Sequence, residues 1–81
     1  MARFLVTMHM PNGSSEYLVH QVTGDHPSEN LEQFAEELNN NTFILIHQYY
    51  WMDNQNTGEK GWRDRGPIII NTEHIGKVSL Y

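Results

Sequence analysis

Between Tyr49 and Arg65 the chain sets Tyr49, Tyr50, Trp51 and Trp62 beside Lys60, Arg63 and Arg65, three of its five basic residues. Aromatic faces offer stacking surfaces, and guanidinium groups clasp phosphate or carboxylate through paired N–H donors. Nucleotides and single-stranded nucleic acids are bound by that combination. Protein contacts use it too, because Trp and Arg, with Tyr, carry most of their energy. The same residues also suit a core, with a tyrosine and one tryptophan inside and arginine stems lying over them. Tyr49, Trp51, Trp62, Arg63 and Arg65 are therefore the candidate ligand- or partner-binding residues.

Glu29, Glu32, Glu36 and Glu37 form the rival surface, an acidic face with no lysine or arginine four positions on. Such a face keeps a protein soluble. It also fits a basic partner, or imitates the charge of nucleic acid toward an enzyme that binds it. Small acidic inhibitors and accessory proteins from phages and mobile elements resemble that description.

Other chemistry finds little footing. His9, His20, His26, His47 and His74 show no H-x-H, H-x₃-H or H-E-x-x-H spacing, so no metal is expected. The chain has no cysteine, no G-x-S-x-G and no glycine-rich phosphate loop. No acid–base or nucleophilic pair is visible, so binding is expected rather than catalysis, with no cofactor.

The elements that position these groups can be read from periodicity. Asn12-Gly13 between two β-prone runs predicts a hairpin with a two-residue turn. That turn sets Met8 opposite Tyr17, Val6 opposite Val19 and Phe4 opposite Gln21. Phe4, Val6, Met8, Met10, Tyr17 and Val19 then share one face. The other face carries Arg3, Leu5, Thr7, His9, Glu16, Leu18 and His20. Residues 23–28 break the strand and start a helix, with Pro27 in its first turn or Ser28 as its cap. Leu31, Phe34, Ala35 and Leu38 make one apolar stripe, and Asn39-Asn40-Asn41 ends the helix in a left-handed cap.

Residues 43–52 are β-branched and aromatic, and apolar on both sides in their first half, which predicts a central strand. After a polar loop, residues 62–70 form its hairpin partner, with Pro67 at a strand start or bulge. Ile75 packs back after a short turn, and residues 76–81 close the chain as a last strand. The expected fold is α+β: a five-stranded, mainly antiparallel sheet with one amphipathic helix on a face, order ββαβββ, one domain over 1–81. Its expected core is Phe4, Val6, Val19, Leu31, Phe34, Leu38, Ile44, Ile46, Ile68, Ile70 and Val78.

The apolar run Ile68-Ile69-Ile70, the turn Asn71-Thr72-Glu73-His74 and the closing Ile75-Gly76-Lys77-Val78 resemble the end of Sm-like or SH3-like barrels. The resemblance covers about 13 residues and implies a 3₁₀ turn between the last two strands. It also implies single-stranded RNA binding as one alternative. The rest of the chain departs from those barrels, because a helix interrupts the strands.

Composition frames these readings. With 81 residues, no cysteine and 38% hydrophobic content, the chain has room for one small core and no disulfide. Self-association is expected, since pairing adds core to so short a chain. The net charge of −5 is uneven. Residues 1–40 set Arg3 alone against six acids, while residues 41–81 balance. That layout argues against DNA binding over the whole surface. No window reaches the roughly 18 apolar residues of a membrane span, and no leader pattern is present, so a cytoplasmic location is expected. The leading expectation is a homo-oligomeric, non-catalytic module that binds a protein through the aromatic–basic hairpin end, the acidic helix face, or both. The alternatives are a small-ligand or nucleotide binder with a pocket between subunits, and an Sm-like binder of single-stranded RNA.

Overall fold

The computed structural model describes residues 1–11 and 17–81, the side chains of Met10, Pro11, Tyr17 and Leu18 excepted. It contains β1 (Ala2–Pro11), β2 (Tyr17–His26), α1 (Leu31–Asn40), β3 (Phe43–Asp53), β4 (Lys60–Asn71) and β5 (Ile75–Leu80). The order ββαβββ and the α+β class are as expected. All strand pairings are antiparallel, in the order β4-β3-β2-β1-β5. A 3₁₀ turn, Thr72–His74, joins β4 to β5 where the resemblance of the tail implies one.

The register of the first hairpin corrects the expectation. Met8 stands opposite His20, Val6 opposite Val22 and Phe4 opposite Gly24, three residues on from the pairing that Asn12-Gly13 implies. That turn itself lies outside the described residues. An odd shift moves every β2 side chain to the other face. Val22 is thereby packed against the core, while Val19, 60% exposed, faces away from it. Gly24 explains why this register wins. A Cβ there would lie 2.8 Å from Ile46 Cδ1 and 2.9 Å from the His47 carbonyl oxygen. The missing side chain therefore lets β3 approach β2, with Phe4 opposite the gap. β2 does not break at Thr23 but runs to His26, with Thr23–Asp25 paired to β1 and β3 alike.

Phe4, Val6, Met8, Phe34, Ile44, Ile46 and Ile70 form the buried core, with Leu38, Ile68 and Val78 half-buried around it. Val19 and Leu31 are exposed, against expectation, and Met8 joins instead. The helix stripe is seated on the sheet chiefly through Phe34, with Leu38 half-buried against the same core. Phe34 is 1% exposed with its ring centroid 4.3 Å from that of Phe4, whereas Leu31 and Ala35 face solvent.

Neither expected cap starts the helix. Asn30 does, accepting from the Gln33 N–H at 2.9 Å. Ser28, two residues earlier, is instead turned to His26, with its Oγ 2.9 Å from Nδ1 and its N–H donating to the same nitrogen. At the other end Asn41 is extended (φ −133°), not left-handed, and its Nδ2 donates to the Glu37 carbonyl at 2.8 Å.

β3 and β4 pair along their length, from Phe43 opposite Asn71 to Asp53 opposite Lys60. The ladder slips between Gln48 and Tyr49, leaving Arg65 without a partner. Pro67 lies inside β4 rather than at its start, two residues from that bulge. Gly66 beside it takes φ +88°, a conformation that few side chains allow, and its N–H donates to Asp64 Oδ1 at 2.6 Å. β3 is an interior strand, yet Phe43 and Leu45 on its outer face are exposed.

Candidate functional site

Alternation along β3 puts Tyr49 and Trp51 on the face away from the helix and Tyr50 on the other. The ladder then sets Trp62 opposite Trp51. Their rings meet edge to face at 5.5 Å, and Trp62 meets Tyr81, just past β5, in the same manner at 4.9 Å. Arg3, from β1, completes the group. Its guanidinium carbon lies 4.4 Å from the Tyr49 ring centroid and 4.6 Å from that of Trp62. Arg3 Nε donates to Asp25 Oδ1 at 2.7 Å and Nη2 to Oδ2 at 3.1 Å, a bidentate pair. The Asp25 hydrogen bond raises the Arg3 pKa, against the opposing effect of burial. An open cleft of about 400 Å³ lies beside the cluster, lined by Arg3, Asp25, Trp62 and Tyr81 among others.

Arg63 and Arg65 do not join this group. Arg63 stands opposite Tyr50, with Nη2 3.6 Å from Glu59 and Nη1 donating to the Trp62 carbonyl at 3.3 Å. Arg65, at the bulge, lies over Tyr50 with its guanidinium carbon 4.4 Å from the ring centroid. Tyr49, Trp51 and Trp62 are thus brought together, while the two arginines expected beside them serve the opposite face. Arg3 and Tyr81 were the residues missed. Arg3 emerges only from the observed register, which pairs it with Asp25 as a favourable cross-strand charge pair.

On the same face His47 Nε2, buried from solvent, lies 2.7 Å from Asp64 Oδ1, too poorly aligned for a good ring N–H hydrogen bond. His47 and the Gly66 N–H together hold the Asp64 carboxyl below the usual aspartate range.

Glu32, Glu36 and Glu37 are exposed along α1, whereas Glu29, expected on the same face, lies before the helix with Oε1 2.7 Å from the Met1 amino group. Among the described residues no lysine or arginine pairs with Glu32, Glu36 or Glu37. His26, at the joint between β2 and α1, meets the Phe34 ring edge to face at 4.8 Å. Burial pushes its imidazole below the ordinary histidine value, opposed by the nearby Glu37 carboxylate.

Among the described residues no three His, Asp or Glu side chains are grouped to hold a metal ion. No helix there is long and apolar enough to cross a membrane. No family model, curated protein or solved structure matches the chain.

Proposed function

We propose that this chain is a non-catalytic interaction module that self-associates and binds a protein partner, with the aromatic end of its sheet as the main contact. The observation that carries this reading is the braced aromatic platform. Trp51, 53% exposed, and Tyr81, 65% exposed, both lean on Trp62, which the Arg3–Asp25 pair supports from beneath. Exposed aromatics already held in place lose little entropy on binding, which is what an interface anchor requires. The acidic face of α1 supplies a second, chemically distinct surface. Light scattering at about 100 µM tests self-association: a wild-type mass of at least a dimer that falls to the monomer in Trp51→Ala/Tyr81→Ala supports it. A monomeric wild type defeats it.

The open cleft beside Arg3 favours a second reading, a small-ligand or nucleotide site. Arg3 spends donors on Asp25, so an anionic ligand meets a neutralised pair, and this reading is the weaker. A thermal-shift screen against nucleotides separates the two, since a ligand at 100 times its Kd stabilises by about 2.7 kcal/mol. Single-stranded RNA binding finds less support again. Trp51 and Trp62 lie on one face of the ribbon, while Arg63 and Arg65 lie on the other with Tyr50 alone, so the two tryptophans share no surface with those cations.

A further inference from the structure

Where β2 leaves the sheet, β3 keeps a bare edge. The ladder between them joins only Thr23–Asp25 to His47–Tyr49. Past His26 the chain turns away toward α1. Residues 43–46 therefore pair with β4 on one side and with no described strand on the other. Such an edge offers unpaired N–H and C=O groups to any extended chain laid beside it.

The edge opens into a groove formed by two adjoining clefts of about 310 and 360 Å³, which share His26, Pro27 and Glu37. The outer wall is apolar, formed by Phe43 and Leu45, each 58% exposed, and Ile69, opposite Leu45 on β4 and 70% exposed, extends that apolar face beyond the groove. Its rim on the helix side is acidic, carrying Glu36 and Glu37 with no lysine or arginine paired to either among the described residues. Between them sits His26, 9% exposed, which lines both clefts. The Ser28 N–H donates to its Nδ1 at 3.0 Å, so the neutral ring carries its hydrogen on Nε2. Among the described residues no hydrogen bond from that N–H is formed.

Side chains of a strand added here would alternate between the Phe43–Leu45 face and the Glu36–Glu37 rim. We infer that this groove takes an extended segment of a partner protein in which apolar residues alternate with lysine or arginine, docked as a strand beside residues 43–46. The inference rests on the reading of the chain as an interaction module and names the partner's chemistry. A second copy fits poorly. The chain's five basic residues include no such run, and its one close pair, Arg63 and Arg65, flanks Asp64.

The test uses the isotope-labelled full chain and two capped heptapeptides, one alternating leucine with lysine and one alternating leucine with glutamate. The lysine peptide is expected to shift the amide signals of Ser28, Glu37, Asn41 and Leu45, with affinity falling several-fold as salt rises. The glutamate peptide leaves them in place. Leu45→Ser/Ile69→Ser weakens binding about tenfold or more, and Glu36→Gln/Glu37→Gln about fivefold. All four positions are exposed, so an unchanged amide spectrum elsewhere checks the fold of each variant. Equal response to both peptides, or no response at millimolar peptide, overturns the inference. Shifts at Trp62 and Tyr81 in place of the groove overturn it too, while leaving the interaction module standing. A dimer that Leu45→Ser/Ile69→Ser converts to monomer without peptide shows the wall covered by a second copy, and also overturns it. Conversely, a monomeric wild type whose groove still binds the lysine peptide defeats self-association alone.

Discussion

Trp62 and Tyr81 touch edge to face at 4.9 Å although they belong to opposite margins of the sheet, Trp62 on β4 and Tyr81 at the end of β5. A flat sheet in the order β4-β3-β2-β1-β5 would keep three strands between them. The sheet curls, and this contact, with Arg3 beneath it, ties the two margins together. Trp62→Ala is expected to cost about 2 kcal/mol, less than a fully buried aromatic because Trp62 is half-buried. Trp51→Ala, at an exposed position, should cost less than about 1 kcal/mol. Urea unfolding of the two variants measures the difference, and equal losses would contradict the closure.

The Arg3–Asp25 pair is half-buried and bidentate, so its two charges depend on each other more than a surface pair does. Asp25→Asn is expected to destabilise by about 2 kcal/mol. Arg3→Lys should recover little of an Arg3→Ala loss, because an ammonium group neither forks onto Asp25 nor stacks on Tyr49 and Trp62. Full recovery by lysine would show that charge alone matters at this position.

Phe34 carries the docking of α1. Phe34→Ala should cost about 3–5 kcal/mol, whereas Leu31→Ala, on the same sequence stripe but exposed, should cost less than about 1 kcal/mol. Melting temperatures of both variants check the pair. An unchanged value for Phe34→Ala would mean that the helix is held elsewhere.

His26 makes stability depend on pH in a defined direction. Burial lowers its folded pKa, so the unfolded chain binds the proton more readily and stability rises with pH across the interval between the two values. Its contribution is whole above about pH 6.5, the ordinary histidine value, and is lost as pH falls toward the depressed folded value. The wild-type urea midpoint should therefore decline as pH drops below about 6.5. His26→Asn should start lower and decline less between pH 7 and 5.5. Identical slopes would remove His26 as the cause.

Local chemistry made part of this protein legible in advance. Period-two alternation gave away the strands, the 31–38 stripe gave away the helix, and the Asn71–His74 turn marked the last corner. The first register was not legible, because Asn12-Gly13 is a strong turn signal while the deciding residue, Gly24, acts by leaving room for Ile46 from another strand. Arg3 stayed hidden for the same reason. With β2 set three residues off, Asp25 is nowhere near it.

The sequence by itself determined which segments are strand and helix, the acidic character of α1, and an aromatic-rich end near Tyr49 to Trp62. Those follow from propensity, spacing and charge within a few residues of each other. Only the tertiary structure decided the register, the curl that joins Trp62 to Tyr81, and which cation stands under the aromatics. In a sheet these depend on parity: one residue's shift exchanges the two faces of a strand, and a one-residue bulge at Arg65 re-aims what precedes it. Thus Arg63 and Arg65, neighbours of Trp62 in sequence, turn toward Tyr50. Arg3, nearly sixty residues away along the chain, takes their place because close packing of β1, β2 and β3 around Gly24 leaves it there.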